Sequence, residues 1–255
     1  MLQICRKHLV PQQFILPLKN SMKKIVAILL LCFSLNSQAQ FATGLFSKDP
    51  IIHLENWDKQ RVHWGYYLGF NAYDFKFDYL KPGQEIEVKG TTGFNVGLIG
   101  NLRLIEHLDL RFEPGLYYTQ RDLKFPGFTK ETDILREVKS TYIHLPLLLK
   151  FSALRTGNIR PFLVGGFSTS LNLGSNSKSK EDNLTETFRM KQWTNNYELG
   201  FGVDLYLEYF KFSPSIRGVF GLDDEIIRDN DPNSPWTSNV GSMKTRGVFI
   251  NFTFQ

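Results

Sequence analysis

The sequence predicts an all-β fold, an eight-stranded antiparallel transmembrane β-barrel of the outer-membrane type that follows a cleaved signal peptide. Three observations predict it. The N-terminal region has the parts of an export leader. Beyond it, apolar and polar residues alternate in eight segments, each long enough to be a strand. The connections between these segments are short and long in turn, as in barrels that keep turns on one side of a bilayer and loops on the other.

Lys23-Lys24 precedes the apolar run Ile25–Phe33, and Ser37-Gln38-Ala39 places small side chains where cleavage after Ala39 needs them. The run is too short for a helical span, which takes about 20 residues. Met22 has the character of the natural start, so residues 1–21 are expected to be an upstream extension of the signal peptide 1–39. Cys5 and Cys32 both lie in the leader, and Leu30-Leu31 lacks the small residue that lipid attachment at Cys32 would need. The mature chain therefore offers no disulfide and no thiolate metal site. The chain carries 30 basic and 25 acidic residues, but five of the basic ones (Arg6, Lys7, Lys19, Lys23, Lys24) are in the leader. The mature part is thus close to neutral, which argues against a nucleic-acid surface.

Residues 40–61 show no sustained period and read as a periplasmic lead-in to a barrel spanning 62–255. His63–Tyr79 is the first strand, aromatic on both parities, which suggests a bulge near Tyr73-Asp74. A loop follows to about Thr92. Gly93–Ile105 and Leu108–Lys124 alternate cleanly around the turn Glu106-His107, with Pro114 interrupting the second. After the loop Phe125–Arg136, the strand Glu137–Ser152 turns at Leu154–Ile159 into Arg160–Leu173. A long polar loop, 174–191, leads to Gln192–Glu208, a turn at Tyr209, and Phe210–Leu222. The last loop, 223–243, ends in Lys244–Gln255, where Val248, Ile250, Phe252 and Phe254 alternate with polar residues and Phe249 is the exception. Three turns are short and four loops long, so both termini are expected on the periplasmic side. Phe252 and Phe254 are expected on the lipid face as the assembly signal read by barrel-assembly machinery, with Phe254→Ala impairing insertion more than Phe249→Ala.

The face opposite the apolar one carries the candidate site residues Arg103, Arg111, Glu113, His144, Lys150, Glu198, Asp204 and Arg217. An eight-stranded bore is just wide enough for side chains to fill it, and charges in a dry interior persist when paired. A structural plug of ion pairs is expected, rather than a proton or substrate path. A lipid hydrolase would need His144 beside a serine and an acid; the sequence places no serine there, so His144 is expected to be a satisfied interior residue. The acids Asp223-Asp224-Glu225 and Asp229-Asn230-Asp231 lack the glycine and terminal Glu of a calcium loop and read as solvated. No phosphate-cradling loop, zinc helix or nucleotide fingerprint is present, so no cofactor is expected.

Several stretches resemble PorT-type barrels. The lead-in pair Asp58-Lys59 followed by His63-Trp64-Gly65-Tyr66-Tyr67-Leu68-Gly69-Phe70-Asn71 is similar to the opening of that family. Leu102-Arg103-Leu104 with Leu108–Leu116 is similar to its second hairpin, Tyr142–Phe151 to its fourth strand, and Arg160-Pro161-Phe162 to its fifth. The Leu-Pro-Leu-Leu-Leu-Lys stretch (145–150) also occurs in broader barrel families. The resemblance implies a non-enzymatic component of type IX secretion, with outer-membrane lipid and other secretion-system proteins as partners, and it carries over no catalytic residue. The alternatives are a small adhesive barrel of the OmpX-like type and a lipid-modifying barrel enzyme.

Overall fold

The computed structural model describes residues 51–255; the signal peptide, its cleavage after Ala39, the upstream extension 1–21 and the first part of the lead-in lie outside the described residues. Ten strands are present: β1 (Val62–Tyr79), β2 (Glu87–Gly90), β3 (Thr92–Ile105), β4 (Leu108–Phe112), β5 (Gly115–Lys124), β6 (Leu135–Ser152), β7 (Ile159–Asn172), β8 (Trp193–Tyr206), β9 (Lys211–Gly221) and β10 (Val240–Phe254). One helical turn, α1 (Glu131–Ile134), precedes β6.

The ten reduce to eight staves. β2 and β3 both pair with β5, and the register shifts by one residue between Gly90↔Arg121 and Phe94↔Tyr118. Thr91 is therefore a bulge in one continuous stave. β4 and β5 both pair with β6 and are separated only by Glu113-Pro114. Proline has no N–H for the ladder, which is why the break falls there; the Pro114 carbonyl still accepts from the Leu98 N–H at 2.9 Å. From β6 to β10 each strand pairs with the next, and β1 pairs with both β10 and β3. The antiparallel ladder thus closes on itself.

The bulge expected near Tyr73-Asp74 is absent. The β1–β10 register runs unshifted from Tyr66↔Phe254 to Asp78↔Ser242 and slips only between Asp78 and Tyr79. Aromatic residues occupy both faces of β1: Trp64, Tyr66 and Phe70 point out, while Tyr67, Tyr73 and Phe75 are buried inside. A strand with rings on both faces needs no change of phase.

Outward-facing apolar side chains form a belt. On β1 it runs from Trp64 through Phe70; on β10 it includes Val248 and Ile250; on β6, Leu147, Leu149 and Phe151. Above the belt the outward positions turn charged. Asp74 pairs with Arg246 at 2.5 Å, Lys124 with Glu87 at 3.4 Å, and Lys139 with Glu137 at 2.8 Å. β1 and β6 are 18 residues long, against the roughly 9–11 a tilted strand needs to cross a bilayer. β7, β8 and β9 have 14, 14 and 11. One wall therefore rises above the belt and the opposite wall stops near it.

The inner face of the tall wall is covered from the loops. Phe75, Ile86, Leu123, Phe125 and Val138 pack with Phe188, Met190, Ile226, Trp236, Val240 and Met243 in one buried cluster. Below it a second cluster, centred on Tyr67, Tyr73, Tyr117, Tyr142 and Phe249, crosses the bore. Phe249, the residue that breaks the alternation in the terminal run, is fully buried here, with its ring 5.1 Å from Tyr73 and 4.9 Å from Tyr117.

Candidate functional site

The charged interior lies below these clusters. Strand parity aims Arg111, Glu113, His144, Lys150, Glu198, Asp204 and Arg217 into the bore, and each is at most 3% exposed. Arg111 pairs with Glu113 at 3.1 Å, and Glu113 with Arg217 at 2.8 Å. Arg217 Nε lies 2.9 Å from Glu198 Oε2, an ionic contact rather than an aligned hydrogen bond. Glu198 Oε1 is 2.7 Å from His144 Nε2, and His144 Nδ1 is 2.8 Å from Ser170 Oγ. The chain Arg111–Glu113–Arg217–Glu198–His144–Ser170 thus joins five strands across the bore. Tyr67 braces it, donating to the Tyr117 hydroxyl at 3.2 Å and lying 3.3 Å from the Glu113 carbonyl.

A second group sits nearer the periplasmic end. Lys150 donates to Asp204 at 2.5 Å, and Ser213 Oγ donates to the other Asp204 oxygen at 2.6 Å. Lys150 Nζ also lies 4.1 Å from the centre of the Phe162 ring. Lys211, which shares its parity on β9 with Arg217, is buried in the same region although the expected network does not include it. Below this group the lead-in stoppers the mouth. Tyr206 donates to Asp58 at 2.7 Å, Arg160 pairs with Asp58 at 3.3 Å, and Trp57 stacks on His63 at 5.0 Å. Asn158 holds the segment by its backbone, accepting from the His53 N–H and donating to the Ile51 carbonyl.

Arg103 does not join the network. It takes the inward parity, opposite Asp109, but lies close to the Glu106-His107 turn at the mouth, is only half-buried, and makes no ion pair among the described residues. The structure also places a serine beside His144, which the sequence reading did not. His144 and Ser170 are direct partners in the β6–β7 register, a juxtaposition that depends on how the turn after Ser152 sets that register. Serine, imidazole and carboxylate are in line, as a nucleophile would require. All three are buried inside the packed bore, however, and Glu198 is already held by Arg217. What this arrangement can do is fix staves to one another.

Arg121 marks the upper limit of the polar region. It is completely buried, 3.8 Å from the Phe75 ring centre, and has no ion pair among the described residues. It donates to the Tyr142 hydroxyl and, at 3.4 Å, to Thr245 Oγ1, which itself donates to Glu225 Oε2 at 2.8 Å. The Thr245 N–H donates to the other Glu225 oxygen at 2.8 Å. Burial holds the Glu225 carboxyl above its ordinary range, against the opposing pull of Arg121. The acidic loop is thus not the solvated stretch its composition suggested. Glu225 is buried, and Asp229 accepts from Asn183, Ser234 and Thr237. The loop acids serve as acceptors that tie loop to strand.

Phe252 and Phe254 point outward and are half-buried by neighbouring rings. Phe252 lies 6.2 Å from Phe212, and Phe254 5.3 Å from Tyr66 and 5.2 Å from Phe212.

The chain is similar to several solved outer membrane proteins. OprG of Pseudomonas aeruginosa is 17% identical, with 76% of this chain and 93% of that one covered and a TM-score of 0.40. AlkL, solved in lipid bilayers, is 13% identical over 82% and 92% with a TM-score of 0.40, and Ail of Yersinia pestis 10% identical over 76% and 98% with a TM-score of 0.33. No curated protein sequence matches the chain. The outer membrane protein beta-barrel domain family matches residues 38–226, most of the chain, and the closed ladder and apolar belt are what that family's place in the outer membrane demands: the chain belongs to the outer membrane β-barrel domain family.

Proposed function

We propose that this barrel is a non-enzymatic component of protein export by the type IX secretion system, acting through its surfaces and not through its bore. The observation that carries the second half of this reading is the filling of the bore. The ion-pair chain, the tyrosine cluster and the docked lead-in occupy it from end to end, which leaves no conduit for a polypeptide. Support for the export role comes from the PorT-type stretches. Asp58 stoppers the mouth, Tyr142–Phe151 carries His144 and Lys150, and Arg160 and Phe162 face the interior. The stretches that carry the resemblance include residues of the plug beside residues of the apolar belt.

Deletion of the gene is expected to leave type IX cargo trapped in the periplasm, and re-expression to release it. Normal cargo export in the deletion strain would overturn the reading. One observation favours the adhesive alternative: the tall wall and its packed loops form an ordered projection above the belt. On that reading, trimming loops 174–191 and 223–239 abolishes attachment while export continues.

A further inference from the structure

The taller strands of the closed ladder outrun their neighbours, and in one place two of them face each other without pairing. β1 and β3 part at Ala72↔Thr92. Beyond that point β1 continues to Tyr79 paired with β10 alone, and β2 is paired with β5 alone. A seam therefore runs up the tall wall between β1 and β2, above the apolar belt.

Backbone alternation shows what faces the seam. The Tyr73 carbonyl points at Gly90 on β2, whereas those of Ala72 and Asp78 point at Gly247 and Gly241 on β10. By the same alternation, Phe75, Phe77 and Tyr79 present their N–H and C=O groups to the seam. Two seam amides are satisfied locally by side chains instead of by a strand: the Phe75 N–H donates to Asp74 Oδ1 and the Ile86 N–H to the Tyr79 hydroxyl, both at 2.8 Å. The seam's floor is apolar. Phe77, Tyr79 and Val88 pack on the buried cap yet are themselves only partly buried. Its rims are charged, with Asp74, Lys76 and Asp78 on one side and Glu87 and Lys89 on the other. At its upper end it meets a cavity of about 140 Å³ lined by Tyr79, Ile86, Phe125, Phe128 and Trp236.

We propose that this seam receives an extended segment of another polypeptide as an added strand. Unpaired strand edges are templates for pairing, and strand addition takes its affinity from main-chain hydrogen bonds and its specificity from pockets for alternate side chains. The seam offers both: backbone edges without a strand partner that continue the β1–β3 ladder, and an aromatic cavity for one anchoring side chain. The occupant has apolar residues at every second position, facing Phe77, Tyr79 and Val88, and mixed-charge or polar residues between them. A lipid chain has no donors or acceptors for these edges, and the seam lies above the belt where such chains end. The inference stands apart from the export reading, because its test needs no secretion and either can fail alone.

The test uses the purified full-length protein in detergent and a fluorescent peptide of about ten residues alternating Phe or Val with Thr or Lys. Saturable binding is expected, weakened about tenfold or more when alternate amides are N-methylated, as loss of even one or two hydrogen bonds requires. In the Asp74→Cys/Lys89→Cys protein, oxidation that closes the seam should abolish binding and reduction should restore it. Phe77→Pro removes a seam-facing N–H without touching the β10 ladder, and should weaken binding while leaving heat-modifiable migration unchanged. Absence of binding, equal affinity for the N-methylated peptide, or unchanged binding to both variants would overturn the proposal. Concentration-dependent dimerisation blocked by the disulfide, without peptide binding, would overturn it in favour of self-pairing.

Discussion

Below the level of Arg121 the barrel is filled by charged, amide and hydroxyl side chains around a band of tyrosines and Phe249; above it, by apolar side chains drawn from both strands and loops. The lower filling is contributed by staves whose partners are fixed by register, so that Arg111, Glu113, Arg217, Glu198, Lys150 and Asp204 each meet a counter-charge from another stave or from the same turn of chain. The upper filling is a small globular core in which Met190, Ile226 and Trp236, all from loops, meet Phe75, Leu123 and Val138 from the tall wall. One region is held by paired charges that are costly to break singly; the other is held by burial and cavity energetics.

The largest expected effect separates the two directly. Asp204→Leu leaves Lys150 and Lys211 buried near an apolar side chain, and should lower stability by about 3–5 kcal/mol, since breaking one side of a buried pair strands the other. Denaturant titration followed by heat-modifiable migration measures it. Adding Lys150→Met should recover part of the loss, with Lys211 still unpaired. A single variant as stable as wild type would mean that the pair contributes nothing.

Phe249→Ala should come next, at about 3–5 kcal/mol, through the cavity left among Tyr73, Tyr117 and His144. For insertion, as distinct from stability, the expectation from the sequence ranks Phe254→Ala above it. For stability of the finished barrel the burial of Phe249 sets the opposite order, while Phe254→Ala, on the outer face, should slow insertion. Equal unfolding midpoints for the two variants would contradict the distinction. Met243→Ala in the cap should cost about 2–5 kcal/mol locally. Faster hydrogen exchange should be confined to 223–243 and the upper ends of β1 and β10; exchange spread through β7–β9 would show that cap and bore unfold as one.

The smallest effect is a pH dependence. Glu225 is neutral more readily in the folded state than in the unfolded one, because burial raises its folded value. Folding therefore carries no penalty from it at low pH. As pH rises through the ordinary carboxylate range toward the raised value, the unfolded state ionises first and cap stability falls. Glu225→Gln should flatten that dependence in the exchange of the Thr245 amide; a profile unchanged by the substitution would assign the titration elsewhere.

The belt and the inward charges were legible in the sequence because both follow from a period of two. Leu147, Leu149 and Phe151 against His144 and Lys150 needed no structure to be divided between faces. The cap was not legible. Phe188, Met190, Ile226 and Trp236 lie in segments whose composition is polar, and their burial depends on a wall that rises beyond the belt on one side only. Ser170 was hidden for a related reason, since parity gives its face and only the β6–β7 register gives its neighbour. Arg103 shows the converse limit: the correct face, but too near the mouth to meet a partner.

From the docked lead-in to the loop cap, the barrel is filled and closed. Conductance of the purified full-length protein in a planar bilayer tests it most directly. A baseline without discrete steps is expected, kept when the lead-in's ion pair to Arg160 is removed by Asp58→Asn, because the charge chain and tyrosine cluster still fill the bore. Regular open-channel steps in the wild-type protein would contradict it.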